Sequence, residues 1–315
     1  MINYEETRLQ DISLTTVKKL LSPFFSTSEL KNIQFLYHGT YNVFEVNYEY
    51  IFRFPDKIFR NHQGQFMLLN EIKMLEFIKR HVNFAIPDPI YSSLELDCPF
   101  MGYEKIEGIS LSTCYKNAST SQKVKLGRQV ASFLNQLHSI PNSEISLLKL
   151  NDCKPLSPSS LQKEWSKWFE SVQQVIFPIL NEEQKNWTMR LFSQFLSDRR
   201  NLLFTPCLVH GDFDSSNILV DRNTFTITGI IDFEETRLFD PAIDLLFLDE
   251  GKEILGSILK NYQGLVDQSL LNRMRFFYGK TYLSYMEFGL KHGLTDMVKA
   301  AFQILEKNMR RLKGN

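Results

Sequence analysis

HGDFDSSNILV (residues 210–220), ITGIIDFEET (227–236) and DPAIDLLFL (240–248) decide how this chain is read. Three polar groups stand in that run: Asp212, Asn217 five residues on, and Asp232 fifteen further. NILV and TGII read as short strands of buried type, so Asp212 falls in a loop before one strand and Asp232 at the end of the other. A carboxylate can align a hydroxyl and accept its proton. An amide oxygen and a second carboxylate suit Mg²⁺, a hard ion that takes few ligands from protein. Together these are the smallest equipment for phosphoryl transfer: Asp212 as base, Asn217 and Asp232 on the metal. The competing reading is one turn aspartate and two strand-end residues capping backbone groups. HGD alone would not decide between them; the three residues together weigh against the second reading.

Working outward, the pattern changes along the chain. Residues 13–22 read as a short helix. From Ile33 to Phe54, IQFLYHG, VFEVN and YEYIFRF are three strands punctuated by Gly39 and Asn47. Gln65–Arg80 is a helix, with Phe66, Leu69, Ile72, Leu75, Phe77 and Ile78 on roughly one face. Pro87 and Pro89 follow it, and strands are expected near Ile90–Leu94 and Phe100–Glu104. The segment after Gly108 turns helical: Thr120–His138, capped by Ser119 or Thr120, then Leu161–Leu180, Glu182–Asp198, 241–249 and 268–312. Two short strands and two loops interrupt it at 206–233. The expectation is an α+β, bilobal fold: a small sheet lobe with one main helix (1–104), then a large, mostly helical lobe (105–315), joined near Tyr103–Gly108.

Two charges stand among apolar neighbours in the sheet lobe. Arg53 lies in YIFRF and Glu71 in LLNEIKML. A strand cation paired to a helix carboxylate is the phosphate clamp of kinases; two exposed charges on amphipathic elements is the alternative. The loop HGTYN, with Gly39 and Tyr41, is the candidate nucleotide loop, although a phosphate-cradling loop usually carries more glycine. His38 reads as structural or solvent-facing, and His210 as a brace for its own loop.

Bulk properties exclude several classes. The 315 residues carry 36 basic and 36 acidic side chains, so no uniformly basic surface for nucleic acid is expected. No apolar run approaches a membrane span, and MINYEETRLQ has no secretory pattern. Cys98, Cys114, Cys153 and Cys207 are scattered, without metal-ligand spacing, and read as free thiols of a cytoplasmic protein. A monomer is the working expectation.

These motifs, in this order, resemble the aminoglycoside phosphotransferase and choline kinase-like superfamily, a branch of the protein kinase fold, from about Ile33 to about Leu290. YIFRF, LLNEIKML, MGYEKIEG and ASFLNQLHSI support the resemblance. IFRFP, SFLNQLHSI, GIIDFEET and YGKTYLSYMEFGL look most like the 2″-aminoglycoside phosphotransferases. The resemblance implies ATP or GTP as phosphoryl donor. It implies a purine-binding hinge over Phe100–Lys105, with Phe100, Gly102 and Tyr103, and a stabilising role for Asp244 behind the catalytic loop. Asp240 reads as structural. The chain departs from the pattern with Arg where many members carry Lys at position 53, FE rather than FG after the metal aspartate, and HGD where close relatives more often have HND.

Residues 210–253 hold eleven acidic against three basic side chains, a net −8. Such a patch attracts a polycation, and aminoglycosides are polycationic. Glu234, Glu235, Asp249, Glu250 and Glu287 are the candidate substrate contacts, with Tyr278. The tyrosines at 278, 282 and 285 share a helix face, which suits core packing as well as sugar stacking. Another small alcohol as substrate, or a nucleotide-binding pseudokinase, are the alternatives.

Overall fold

The computed structural model describes residues 9–150 and 157–312; Cys153 lies outside the described residues. Packing divides the chain into two compact units, Met1–Leu137 with Ser215–Thr236, and His138–Asp214 with Arg237–Asn315.

The first unit opens with helix α1 (Leu14–Leu21), whose cap Ser13 accepts from the Thr16 N–H at 3.1 Å. Strands β1 (Ile33–His38), β2 (Tyr41–Val46) and β3 (Tyr50–Pro55) are followed by α2 (His62–Ile78), β4 (Tyr91–Ser93) and β5 (Phe100–Glu104). The helix starts three residues earlier than its apolar face suggests, because the Asn61 side chain accepts the Gln63 N–H at 2.8 Å. The five strands form an antiparallel sheet in the order β1-β2-β3-β5-β4. One side of it buries Phe44, Phe52, Phe54 and Phe100 against Val17, Leu21 and Phe25, each apolar side chain contributing roughly 1.5–3 kcal/mol.

Residues 105–137 and 215–236 belong with this sheet by packing, so the division does not follow a single cut at residue 104. They supply β6 (Ile109–Ser110), α3 (Leu111–Cys114), α4 (Thr120–His138), β8 (Ile218–Val220) and β9 (Ile227–Ile230). The 83–86 turn is the reason. Its Asn83 N–H donates to Gln136 of α4 at 2.7 Å, Phe84 packs edge-on against Phe133, and the Ala85 carbonyl accepts the Ile230 N–H at 2.9 Å.

The second unit is almost entirely helical. It holds α5 (Asn142–Ser146), α6 (Pro158–Val175), α7 (Glu182–Ser197), α8 (Lys252–Asn261), α9 (Gln268–His292) and α10 (Thr295–Leu312). Its two strands, β7 (Cys207–Val209) and β10 (Arg237–Phe239), pair antiparallel. Local chemistry sets the ends: an Asn181–Gln184 capping box starts α7, and Asp267 caps α9. Three expectations change here. The 268–312 helix is two helices, because Gly293 leaves α9 in a left-handed conformation (φ 68°). Residues 241–249 hold only a 3₁₀ turn, Pro241–Leu245, and the helix in this region is α8. The 206–233 segment holds three strands rather than two. Cys98, Cys114 and Cys207 are buried free thiols. Among the described residues no helix is long and apolar enough to cross a membrane.

Candidate active site

In the first unit the chemistry gathers around Arg53. It sits in the buried half of β3, and its NH1 donates to Glu71 Oε1 on the buried face of α2. Its NH2 donates to Asp232 Oδ1 at 2.7 Å, with Glu234 Oε2 at 3.7 Å, and the guanidinium lies 4.1 Å over the Tyr41 ring. The expected alternative, two solvated charges, is therefore not what the fold builds. Burial opposes the charge on Arg53, yet the Glu71 and Asp232 carboxylates outweigh it and hold the guanidinium well above its ordinary range. Burial pushes Glu71 up, against the pull of Arg53. Burial, then repulsion from Asp232, pushes Glu234 well above the usual carboxylate range. Glu234 thus stands in the Arg53 cluster and not on an open face.

Asn217 and Asp232 stand at neighbouring strand ends. β8 and β9 pair through Ile218 and Ile230, and the Ile231 N–H donates to the Asn217 carbonyl at 3.0 Å. Asp232 has φ 71°, a left-handed conformation that costs an L-residue about 1–2 kcal/mol and that aspartate tolerates better than most. The donor set fits Mg²⁺: an amide and a carboxylate oxygen, both hard. The electrostatics fit as well. Three carboxylates (Glu71, Asp232, Glu234) share one guanidinium, and one oxygen each of Glu71 and Glu234 is buried without a hydrogen bond. A dication relieves that excess.

The loop between β1 and β2 is held from beneath. His38 is buried, its Nδ1 2.7 Å from the Leu9 carbonyl and its Nε2 2.9 Å from Asp56. The Gly39 N–H donates to the Tyr41 carbonyl at 3.0 Å. On β5, Met101 and Gly102 are paired on both sides, to β3 and to β4, and Phe100 is paired to β4. The ladder to β4 stops at Gly102, whose carbonyl takes the Ile90 N–H at 3.0 Å. From Tyr103 onward only the β3 side is paired, so the β4-facing backbone edge is open there. Gly102 is required by close approach, since a Cβ would run into the Phe52 ring.

In the second unit Asp212 is exposed on the loop after β7. The preceding residues are tied to Asp244, which has no exposure: its Oδ2 accepts the His210 N–H at 2.7 Å and its Oδ1 the Gly211 N–H at 2.9 Å. Gly211 has φ 91°, a conformation glycine adopts without strain; this accounts for Gly in HGD. Asp240, also unexposed, lies 2.7 Å from Arg273 Nε.

The substrate candidates are mostly engaged inside this unit. Asp249 accepts from Tyr278 at 2.8 Å and pairs with Lys307 of α10 at 2.7 Å. Tyr278 is buried with Lys307 over its ring and offers no open stacking face. Glu250 is buried. Glu287 accepts from Trp168 Nε1 at 3.0 Å. Nine residues separate Tyr278 and Glu287 on α9, so they point to opposite sides of the helix about 13 Å apart along it and do not form one contact surface. Glu235, in the first unit, is the exposed member of the set. Sequence reasoning gave no role to Lys307, Arg273, Tyr262 or His138; only His138, in SFLNQLHSI, falls within a recognisable motif.

An α+β sheet unit with a buried cation–carboxylate clamp and a helical unit with a braced aspartate loop together define a kinase-like phosphotransferase fold. Residues 32–277 match the phosphotransferase enzyme family, and the chain belongs to it. Viomycin phosphotransferase of Streptomyces vinaceus is 26% identical over 167 residues, 51% of this chain and 54% of that protein, so the chain spans about half the length of the curated relative it matches. The GDP complex of wild-type aminoglycoside 2'-phosphotransferase-IIIa superposes with a TM-score of 0.82 at 23% identity, covering 93% of this chain and 97% of that one. The GDP and kanamycin complex of APH(2")-IIia gives 0.81 at 24% identity, covering 95% and 98%. The fold is theirs.

Proposed function

We propose that this protein transfers the γ-phosphate of ATP or GTP to a hydroxyl of an aminoglycoside-type amino sugar. The observation that carries the reading is the Arg53 guanidinium held at once by Glu71 and Asp232. A buried cation fixed in that way is a prepared contact for nucleotide phosphates, and preorganised charge needs no reorganisation when the phosphate arrives. Family membership, a relative named for viomycin and a solved neighbour holding kanamycin support the donor and acceptor classes.

Asp212 orients the acceptor hydroxyl and takes its proton. Arg53, steadied by Glu71 and by the Tyr41 ring, contacts the α- and β-phosphates. The β1–β2 loop with Gly39 covers the phosphates, and backbone groups from Tyr103 onward bind the purine. Asn217 and Asp232 would hold Mg²⁺, which would screen the phosphate charge. Asp244 and His210 keep the Asp212 loop in shape, and Asp240 anchors Arg273. Glu235 is the acid best placed by exposure to meet a substrate ammonium.

A second reading keeps the chemistry and changes the acceptor to a less cationic alcohol. It is favoured by the internal engagement of Asp249 with Lys307 and of Glu287 with Trp168, which occupies two of the expected substrate contacts. Nucleotide consumption with Mg²⁺ against kanamycin, gentamicin, choline, a macrolide and no acceptor separates the readings. Stimulation by the aminoglycosides alone, lost at least about a hundredfold in Asp212→Asn, supports the first. Stimulation by another alcohol alone replaces it with the second. Nucleotide binding with no turnover on any acceptor would make the chain a pseudokinase.

A further inference from the structure

Asp244 receives a third donor besides the two loop amides: Nε2 of His138, at the end of α4, lies 3.0 Å from Oδ2. The other ring nitrogen, Nδ1, lies 2.8 Å from the hydroxyl of Tyr262, the residue following α8, whose ring stands edge-on to the imidazole at 5.6 Å. The protons can be placed one by one. Nε2 faces a carboxylate and carries its hydrogen. Burial, with Cys207 and Asp244 nearby, pushes the Tyr262 hydroxyl above its ordinary range, so it stays a donor. With a bare Nδ1, that hydroxyl has an acceptor and every proton in the chain is used. With a second proton on Nδ1, two donors face each other unless the hydroxyl turns its hydrogen away from the ring, out of a half-buried position.

We infer that Tyr262 is a positioning residue for the Asp212 loop. Its O–H selects the His138 tautomer whose Nε2–H holds Asp244, and Asp244 holds the His210 and Gly211 amides next to Asp212. The residue acts through two intermediates and touches no reacting atom. It also gives a role to α8, which carries no other part of the proposed site, since the end of that helix delivers the hydroxyl. The kinetic consequence rests on the proposed role of Asp212; the structural consequence does not.

Tyr262→Phe tests this, because it keeps the ring and removes only the hydroxyl. In ¹⁵N-histidine spectra of the full chain, with the His138 signals identified by their loss in His138→Gln, wild type should show Nε2 protonated and Nδ1 bare and hydrogen-bonded. Tyr262→Phe should lose the Nδ1 hydrogen-bond signature, and exchange of the 210–211 amides should quicken about tenfold, one hydrogen bond's worth. The kcat should fall by a similar factor while the nucleotide KM stays within about twofold. A protonated Nδ1 in wild type overturns the inference whether or not the variant folds. So does a variant with unchanged amide exchange. If wild type phosphorylates nothing, the functional reading falls, and the spectra and exchange still decide this one.

Discussion

Arg273→Met keeps the apolar stem of a side chain on α9 and removes the guanidinium from Asp240. In the native protein Nε lies 2.7 Å from Asp240 Oδ2, an ion pair by distance, and the Ala242 N–H donates to Oδ1 at 3.0 Å. Even so, burial, opposed by Arg273, pushes the Asp240 carboxyl up to about 6 from 3.8. The folded carboxyl therefore binds its proton more tightly than the unfolded one. Stability is greatest below the unfolded pKa and falls as pH rises to about 6, by roughly 3 kcal/mol. Without Arg273 the folded pKa climbs further, so the fall continues above pH 6. Removing one partner of a buried pair costs about 3–5 kcal/mol. Near pH 5 the variant's carboxyl is protonated and the charge part of that cost vanishes. What remains is the Ser269 hydrogen bond at 2.8 Å and the stacking over Phe204, on the order of 1–2 kcal/mol. Urea denaturation of both proteins from about pH 5 to about pH 8 reads the difference, which should widen with pH. Asp240→Asn in the Arg273→Met background should recover part of the loss at high pH. A cost under about 1 kcal/mol near pH 8, or one that is flat with pH, would refute the reasoning.

Two further substitutions probe the first unit. Gly102→Ala drives a methyl into the Phe52 ring and should cost about 1–3 kcal/mol in thermal or chemical unfolding; an unchanged midpoint would mean the β3–β5 pairing has room to spare. Arg53→Lys keeps the charge but cannot place two separate nitrogens on Glu71 and Asp232. The nucleotide KM should rise about tenfold or more for one lost charge-assisted bond. A KM within about threefold of wild type would remove Arg53 from the phosphate contact.

The element order of the sheet unit was legible because alternation, turn residues and proline breaks are local signals. Asp212, Asn217 and Asp232 could be singled out as candidates because their short spacing around two apolar strands is itself the motif. The internal boundary at Gly293 was not, because apolar periodicity resumes immediately beyond it. The acidic run 210–253 could be counted but not interpreted. Asp249 is neutralised by Lys307, 58 residues on, and Glu287 meets Trp168, 119 residues back. The clamp depends on Arg53 meeting Asp232 across 179 positions, and the loop brace on His138 meeting Asp244 across 106. The sequence by itself determined which residues have the chemistry to act, since residue type and local period are written in neighbouring positions. Which charges remain available was decided by the tertiary structure alone, because a carboxylate's energy depends on burial and on the partner packing brings to it, and neither has a period along the chain.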